Sequence, residues 1–550
     1  MNFIENESAQ KLRGGYYTPP DLAIFLSRWV KAINPKRVLE PSCGDGVFFD
    51  ALCQVKGFTR TAVTAFELDA DEAAKADARA RQVGLKNVSV KATDFLGWAI
   101  SHMDDESARF DAVLGNPPFV RYQYLPAPFQ ICAEQIFRQL RLPFTKHTNA
   151  WVPFILASLA MLRPGGRLAM VVPAEIIHVM HAQSLRSHLG RECKRLVVID
   201  PEEIWFTDTL QGAVLLMAEK RHHAEDKAEG LGIYPVKGRD FLDLDPSDVF
   251  AAPRAINGKT VEGKWTRAIL EPKTRALFDQ LTEHPEVRRF DDIAKVDVGI
   301  VTGANKYFLV TDEVVRRFHL EPWAHPMFGR SEHCPGIIYD KRQHEANAQA
   351  GNPTNFLWLH GTDIRTNAAA QAYIAQGEEQ TLHTRYKCRV RSPWYTVPSV
   401  YATEVGMLKR AHDTPRLILN RLGAYTTDTA YRIRTRQADA EGLVASFVNP
   451  LTALSAELEG RHYGGGVLEL VPSEIERLIL PMPKKAKVNL AQLDKTIRTM
   501  PMPDVLRLQG KAVLAALGLS VGEQDRVLSG WRHLRDRRHR ISRDVPVDAD

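Results

Sequence analysis

The amino-acid sequence predicts an α/β fold with a mostly parallel sheet in its first part, followed by a mixed α+β region. Seven short apolar runs lie within the first 220 residues, and helical patterns separate most of them, as expected for a parallel sheet covered by helices. The predicted strands are at about 37–40, 62–67, 88–92, 110–115, 166–172, 194–200 and 212–219. From about Leu270 the apolar runs become shorter and turn residues more frequent, which favours several small sheets.

Length and composition exclude several classes of protein. A chain of 550 residues is long enough for two or three domains with substantial cores. No apolar stretch approaches membrane-spanning length and the first residues lack the pattern of a signal peptide, so we expect a cytoplasmic protein. Six scattered cysteines form no Cys-x-x-Cys pair, so we expect neither a zinc site nor a disulfide framework.

The two halves of the chain differ in charge. Residues 1–250 carry 29 basic and 31 acidic side chains, whereas residues 251–550 carry 43 and 35. The net formal charges are therefore −2 and +8. An excess of positive charge in the second half suggests that contacts with a polyanion are concentrated there, although ordinary solubility is an alternative explanation.

A glycine loop follows the first predicted strand. The strand ends at Glu40, and Ser42, Cys43, Gly44 and Gly46 then lead into a helix. Glycines at this place allow a ligand to approach the backbone closely. The spacing is not Gly-x-Gly-x-x-Gly, so a dinucleotide site is only weakly indicated.

Carboxylates follow the second and third predicted strands. Glu67, with Leu68 beside it, ends the second strand, where a carboxylate can bind the two hydroxyls of a ribose. Capping of the next helix is the alternative role, and Asp69 or Asp71 fits it, which leaves Glu67 for a ligand. After the third strand come Asp94 and Phe95, an acceptor and an aromatic ring suited to adenine.

The fourth predicted strand leads directly into Asn116, Pro117, Pro118 and Phe119. Two consecutive prolines fix the backbone and keep Asn116 extended. The side-chain oxygen of Asn116 and the carbonyl of Pro117 can then accept hydrogen bonds from an amine attached to a purine ring, while Phe119 stacks on that ring. An ordinary turn between strand and loop is the alternative, because Asn-Pro pairs are frequent in turns.

Taken in order, these motifs resemble the S-adenosylmethionine and catalytic motifs of amino-group DNA methyltransferases. Residues 15–20, Gly-Tyr-Tyr-Thr-Pro-Pro, precede the glycine loop, which resembles the gamma-class, Taq-type order. The resemblance implies a Rossmann-like class I methyltransferase domain, whose seven-stranded sheet ends in an antiparallel hairpin, and S-adenosylmethionine as cofactor. The cofactor-binding residues that it implies are Tyr16, Thr18, Glu40, Ser42, Cys43, Gly44, Gly46, Glu67, Leu68, Asp94, Phe95 and Pro118.

The same resemblance assigns the catalytic residues. They are Asn116, Pro117, Pro118, Phe119 and Phe206. Phe206 is assigned to the second face of an extruded base by its seven-residue offset from Ala213, and Trp205 is a close competitor. Phe119 replaces the tyrosine that is commoner in the family, which removes a hydroxyl but keeps the stacking face. No metal and no cysteine nucleophile are implied.

We expect four segments along the chain. These are a catalytic domain at 1–220, a connector at 221–262, a DNA target-recognition domain at 263–490 and a helical basic segment at 491–550. Six arginines between 532 and 543 suit phosphate binding, but a solvated helix or a frayed tail fits equally well. The candidate DNA contacts, each alternatively part of a surface loop, are Asn305, Lys306, Arg391, Trp394, Arg461 and Tyr463.

The expected reaction is site-specific methylation of the N6 amine of a flipped adenine in double-stranded DNA, with a separate cognate restriction endonuclease as a possible partner. Amino-group methylation of cytosine in DNA, or of a protein glutamine, is the main alternative. In the family the cytosine enzymes more often have serine where this chain has Asn116. A non-catalytic DNA-binding protein would lack the cofactor motifs, and the chain shows no convincing nuclease motif.

Overall fold

The computed structural model describes residues 18–203, 205, 212–361, 363–436, 439–463, 465–484 and 488–539. Tyr16 and Phe206 lie outside these residues, so the structure gives no account of either. The chain divides into two compact units, of which the first reaches Ile269 and the second is Leu270–His539. Within the described residues, no helix is both long enough and apolar enough to cross a membrane.

The first unit contains an eight-stranded sheet of order β3-β2-β1-β4-β5-β7-β6-β8. Its strands are β1 Arg37–Glu40, β2 Ala62–Glu67, β3 Val88–Ala92, β4 Phe110–Gly115, β5 Leu162–Pro173, β6 Cys193–Pro201, β7 Ala213–Lys220 and β8 Gly230–Val236. Strand β7 is antiparallel to both β5 and β6, and the remaining pairs are parallel. The α/β class and the antiparallel hairpin are confirmed, but the expected count of seven strands is one too low.

Helices cover both faces of this sheet. They are α1 Pro20–Lys31, α2 Val47–Gln54, α3 Ala70–Gln82, α4 Phe95–His102, α5 Ala127–Gln139, α6 Trp151–Ala160, α7 Gln183–Glu192, α8 Pro246–Ala251, α9 Lys259–Glu262 and α10 Thr266–Ile269. Because successive side chains of a strand point to opposite faces, Val113 of β4 joins one hydrophobic core while Ala112 and Leu114 join the other. This double burial explains the continuous apolar runs of the sequence.

Residues 221–262, expected to be a connector, are folded into the first unit. Strand β8 pairs with β6 along seven residues, from Arg195 opposite Gly230 to Pro201 opposite Val236. The guanidinium of Arg195 also donates to the carbonyls of Phe250, Ala251 and Pro253 at 2.7–3.0 Å. Pairing with β8 satisfies the outer edge of β6, which would otherwise expose unpaired backbone groups.

The described residues of the second unit form four smaller sheets, as the mixed α+β expectation implied. Their orders are β10-β19-β15-β17-β13, β11-β14-β12-β18, β16-β21-β20 and β22-β9. The strands are β9 Val287–Arg289, β10 Ala294–Val298, β11 Leu309–Val310, β12 Ala324–Phe328, β13 Ile338–Tyr339, β14 Asn355–Leu357, β15 Val405–Leu408, β16 Arg410–Ala411, β17 Leu417–Asn420, β18 Tyr425–Thr426, β19 Ala430–Thr435, β20 Arg461–Tyr463, β21 Val467–Glu469 and β22 Ile479–Pro481.

Helices surround these sheets. They are α11 Pro272–Thr282, α12 Phe290–Ile293, α13 Asn305–Phe308, α14 Asp312–Arg317, α15 Lys341–Gln349, α16 Ala368–Glu379, α17 Tyr386–Arg389, α18 Ala440–Phe447, α19 Pro450–Glu459, α20 Pro472–Ile475, α21 Leu490–Thr499, α22 Met502–Val513 and α23 Val521–His539. The last three fall in the expected basic segment 491–550, and the described part of that segment belongs to the second unit.

The arginine-rich helix α23 is anchored by a buried ion pair. The guanidinium of Arg538 binds the carboxylate of Glu457 with contacts of 2.7 and 3.0 Å, and neither side chain is exposed. Burial raises the pKa of Glu457, and the charge of Arg538 opposes this shift. Arg535 stacks on the ring of Trp531 with 4.7 Å to its centroid. These two arginines therefore hold the helix in place rather than forming a solvated or frayed surface.

We predict that Arg538→Met lowers the free energy of unfolding by about 3–5 kcal/mol, because it leaves the carboxylate of Glu457 buried without its main partner. Replacing both partners, as Glu457→Leu with Arg538→Met, should recover most of that loss, since no charge then remains buried. Urea denaturation followed by circular dichroism measures both. Arg532→Met removes a half-exposed cation from the same helix and is the control. Equal stability of Arg538→Met and the control would contradict the anchoring role.

Candidate cofactor and catalytic site

A cavity of about 760 Å³ lies in the first unit where β1 to β4 end. The loops after these four parallel strands form its wall, since the carboxyl ends of parallel strands meet at one edge of a sheet. The predicted cofactor residues that line it are Thr18, Glu40, Ser42, Cys43, Gly44, Glu67, Leu68, Asp94, Phe95 and Pro118. Asn116 lines it as well, whereas Gly46, Pro117 and Phe119 do not.

The glycine loop needs its glycines for two different reasons. Gly44 has a φ of 52° and Gly46 a φ of 89°, a region that other residues avoid. A Cβ atom on Gly46 would lie 2.8 Å from the ring of Phe49, whereas one on Gly44 would meet only open space. Gly46 therefore starts α2 and shapes the loop, while Gly44 leaves room for a ligand.

Glu67 joins the ends of β1 and β2. Its carboxylate accepts hydrogen bonds from the backbone N–H of Gly44 and of Asp69, both at 3.0 Å. Asp69 itself caps α3 by accepting from the N–H groups of Asp71 and Glu72. Of the two capping candidates the structure thus selects Asp69, and Glu67 stays at the cavity wall.

Asp94 also caps a helix. Its carboxylate accepts from the N–H groups of Leu96 at 3.2 Å and Gly97 at 2.8 Å, at the start of α4. The same carboxylate lines the cavity, so capping fixes the direction in which its remaining acceptor positions point. Phe95 is 1% exposed and packs against Phe66, with 5.4 Å between ring centroids. Only a small part of the Phe95 ring is therefore accessible to a ligand.

Glu40 is a buried carboxylate whose two oxygens have no hydrogen-bond partner among the described residues. Its pKa is raised well above the usual value, first by burial and then by the nearby charges of Asp45 and Glu67. Arg79 pairs with Asp45 at 2.8 Å, whereas no cationic side chain among the described residues forms an ion pair with Glu40. A ligand carrying positive charge would complete this wall.

The loop at 116–119 is tied to the glycine loop. The hydroxyl of Ser42 donates to the backbone carbonyl of Asn116 at 2.9 Å. Pro117 is buried, whereas Asn116, Pro118 and Phe119 are half-buried. The ring of Phe119 packs against both hydrophobic cores of the unit and does not line the cavity, so this conformation does not place it for stacking on a ligand.

Residues after this loop are held by the start of α6. The N–H of Ala150 donates to the carbonyl of Val120 at 2.9 Å. Asn149 accepts from the N–H of Tyr122 at 3.4 Å and donates to the carboxylate of Glu175 at 3.2 Å. Burial raises the pKa of Glu175, while the charge of Arg121 and the bond from Asn149 oppose that shift. This network connects three segments near the loop at 116–119.

Four aromatic residues line the cavity without having been predicted from the sequence, namely Phe48, Tyr124, Phe129 and Phe154. Phe129 and Phe154 line the cavity with parallel rings, their centroids 6.1 Å apart. Helix α6 is apolar on every side, so the sequence gives Phe154 no mark that separates it from core residues. Trp205 is 6% exposed, and its ring stacks on that of Phe241 with 5.7 Å between centroids. The Trp205 ring therefore packs in the core. Its competitor Phe206 lies outside the described residues.

Two of the DNA-contact candidates have structural partners in the second unit instead. The guanidinium of Arg391 donates to the carbonyls of Val301 and Thr302, each at 2.7 Å. Trp394 is 9% exposed, and its indole N–H donates to Glu378 at 3.0 Å. In this conformation the polar groups of both side chains bond to the protein itself, and their role in DNA binding stays a prediction.

The other four candidates fall into two groups. Arg461 pairs with the buried carboxylate of Glu474 at 3.1 Å, so its charge is used internally. The side-chain amide of Asn305 donates to the carboxylate of Asp428 at 2.9 Å. Lys306 and Tyr463 are exposed, and their role in DNA binding stays a prediction.

Comparisons with known proteins match both units. The family model described as N-6 DNA Methylase matches residues 2–230. The family model described as Type II methyltransferase M.Eco57I, C-terminal domain, matches residues 262–514.

Similar proteins extend over most of the chain. Type II methyltransferase M.AccI of Acinetobacter calcoaceticus is 23% identical over 484 residues, which are 84% of each chain. Type II methyltransferase M.XamI of Xanthomonas campestris pv. amaranthicola is 22% identical over 491 residues, which are 85% of each chain. The crystal structure of the type IIG restriction endonuclease BpuSI aligns with 97% of this chain and 67% of its own, at 12% identity and a TM-score of 0.42.

The N-6 DNA Methylase match extends from β1 through β7 and includes every loop of the cavity, so the first unit is a class I methyltransferase fold that takes S-adenosylmethionine. The buried Glu40 carboxylate fits this cofactor, whose sulfonium and ammonium groups are positively charged. With its second family match and its relatives, the chain is a DNA methyltransferase similar to Type II methyltransferases of restriction–modification systems.

We predict that Glu67→Ala weakens binding of S-adenosylmethionine by about 1–3 kcal/mol, the range for losing hydrogen bonds to a charged group. The change removes the carboxylate that faces the cavity and also frees the N–H groups of Gly44 and Asp69. Isothermal titration calorimetry measures the affinity. Glu67→Gln, which keeps the acceptor oxygen, should lose less, and the exposed Glu106→Ala is the control. Unchanged affinity in Glu67→Ala would exclude a cofactor role for this residue.

Proposed function

We propose that the chain transfers the methyl group of S-adenosylmethionine to the N6 atom of one adenine within a specific sequence of double-stranded DNA, and that the loop at 116–119 holds the target amine. One observation carries this assignment. Asn116 and Pro118 line the same cavity as Glu40 and Glu67, and Ser42 fastens the two loops together at 2.9 Å. The amine site therefore lies beside the cofactor site.

When bound, the cofactor would supply a methyl group activated by its sulfonium. The nitrogen–carbon bond would form as the carbon–sulfur bond breaks, the neutral thioether S-adenosylhomocysteine would leave, and the methylated amine would release one proton to solvent. Asn116, through its side-chain oxygen, and Pro117, through its carbonyl, accept hydrogen bonds from the two protons of the amine. These bonds direct the nitrogen lone pair toward the cofactor, and they stabilise the positive charge that develops on the nitrogen. Most of the acceleration then comes from positioning, because one direct transfer needs no covalent intermediate on the protein.

The target amine is inaccessible inside a duplex, so the adenine must be flipped into the cavity at a cost of a few kcal/mol. Phe119 and Phe206 are proposed to offset part of this cost by stacking on the two faces of the base. For Phe119 this requires its half-buried ring to turn from the cores toward the cavity when DNA binds.

Sequence recognition is assigned to residues 263–490. The excess of positive charge in the second half of the chain supports this division of labour, as does the M.Eco57I C-terminal match at 262–514. A separate cognate restriction endonuclease is the proposed partner. The cytoplasm is the proposed compartment, because the substrate is cellular DNA.

Two measurements test the reaction. The chain is expressed in a host free of DNA methylation, nucleosides from its DNA are analysed by mass spectrometry, and the methylated positions are mapped by long-read sequencing. We expect N6-methyladenine at one defined sequence. N4-methylcytosine, or modification of protein glutamine without DNA modification, would establish one of the alternative amine substrates.

We predict that Asn116→Ala reduces methyl transfer more than tenfold, a barrier increase above about 1.4 kcal/mol, because the amine loses its side-chain acceptor. Binding of S-adenosylmethionine should change little, since the clamp acts on the amine. Tritium transfer to DNA measures turnover, and calorimetry measures cofactor affinity. Asn87→Ala, an exposed asparagine of the same unit, is the matched control. Turnover above a tenth of the wild-type value would exclude the clamp.

A further inference from the structure

Residues 385–390 of the second unit form an exposed turn around helix α17, which we name the basic turn. Tyr386 is 67% exposed and Val390 66% exposed, unusually high values for large apolar side chains. Arg385, Lys387 and Arg389 are exposed as well, and only Cys388 is buried. The turn therefore presents three cations and an aromatic ring to solvent.

The basic turn is fixed rather than loose. Arg391, directly after it, donates to the carbonyls of Val301 and Thr302, each at 2.7 Å. A Cβ atom on Gly303, whose φ is 82°, would lie 2.7 Å from the Cβ of Lys387, so the two segments touch. The exposed Lys306 follows in the same segment as Gly303. Arg391 thus serves as the anchor of a surface formed by its neighbours.

The cations of the turn lack carboxylate partners. Residues 381–391 contain four Arg or Lys and no Asp or Glu. Among the described residues no ion pair involves Arg385, Lys387 or Arg389, whereas Arg461 and Arg410 of the same unit each bind a buried glutamate. On the segment that contacts the turn, the side-chain amide of Asn305 donates to the carboxylate of Asp428 at 2.9 Å.

The ring of Tyr386 lies close to two of these cations. The Nζ atom of Lys387 lies 5.5 Å from the centre of its ring, and the Cζ atom of Arg389 lies 5.9 Å away. Both cations are thus within cation–π distance of a ring that is itself largely exposed. Cations interleaved with an exposed aromatic ring suit a polyanion that also offers sugars and base edges, which is the chemistry of nucleic acid.

We propose that the basic turn is a DNA-contact surface in which Arg385, Lys387 and Arg389 bind backbone phosphates and Tyr386 packs against the sugar or base edge between them. The proposal rests on the proposed function, because double-stranded DNA is the polyanion that the chain must hold during methylation. Phosphate contacts of this kind fix the register of a protein on the duplex without reading its sequence.

The central test is the salt dependence of DNA binding. The triple variant Arg385→Ala, Lys387→Ala, Arg389→Ala is compared with wild type by fluorescence anisotropy on a duplex containing the methylated sequence, at several salt concentrations. Each lost phosphate contact lowers the steepness of log affinity against log salt by about 0.9, so we expect a loss of about 2 to 3. Lys295→Ala, Lys495→Ala, Lys511→Ala removes three exposed cations elsewhere in the unit and is the control for net charge.

Three further variants separate the effect of charge from that of the aromatic ring. Arg385→Lys with Arg389→Lys keeps the charge and should retain most of the wild-type salt dependence. Tyr386→Ala should weaken DNA binding about tenfold without changing the salt dependence, because it removes no charge, and Tyr386→Phe should behave as wild type. Thermal melting and calorimetric binding of S-adenosylmethionine verify that each variant is folded and that its cofactor site is intact.

The outcomes distinguish this proposal from the proposed function. If the wild-type protein methylates DNA but the triple variant keeps the full salt dependence of binding, the DNA-contact role of the basic turn is overturned and the proposed function is not. An equal loss in the triple variant and in the lysine control would also overturn it, since net charge would then be the cause. Wild type that methylates no DNA would overturn the proposed function, and binding of the turn to an acidic peptide in preference to DNA would identify a protein partner instead.

Discussion

The site depends on the parallel arrangement of the first four strands. Strand β1 pairs with β2 on one side and with β4 on the other, so the loops that follow these strands open at one edge of the sheet. Parallel pairing requires long crossover connections, and helices supply them on both faces. The same double coverage buries the central strands of the sheet, so polar side chains can meet a ligand at the loop edge.

The electrostatics of the cavity follow from this geometry. Glu40 is brought by β1 into the same wall as Glu67, although a carboxylate without a partner is costly to bury. Such a wall is stabilised by a ligand with positive charge, which connects the raised pKa of Glu40 to S-adenosylmethionine. The bond from Ser42 to the carbonyl of Asn116 then keeps the cofactor loop and the amine clamp in register.

The second unit shows how arginines divide between structure and surface. Arg538 and Arg461 bind buried glutamates, and Arg391 binds two backbone carbonyls. Buried groups of this kind need such partners, since unsatisfied carbonyls and carboxylates destabilise a folded chain. The positive charge left for a polyanion is therefore smaller than the composition indicates, and the basic turn carries part of it.

The sequence by itself determined the class of fold, the order of the motifs and the cofactor loops, because these depend on local periodicity and on residues that directly follow a strand. Only the tertiary structure decided that β8 joins the sheet, that Trp205 packs in the core and that Phe154 reaches the cavity. It likewise decided that Arg391 bonds to backbone carbonyls while its neighbours in the basic turn stay exposed. The physical reason is common to all four cases: a side chain's partner is set by segments distant along the chain, and residue type and spacing do not reveal which backbone group or ring will lie beside it.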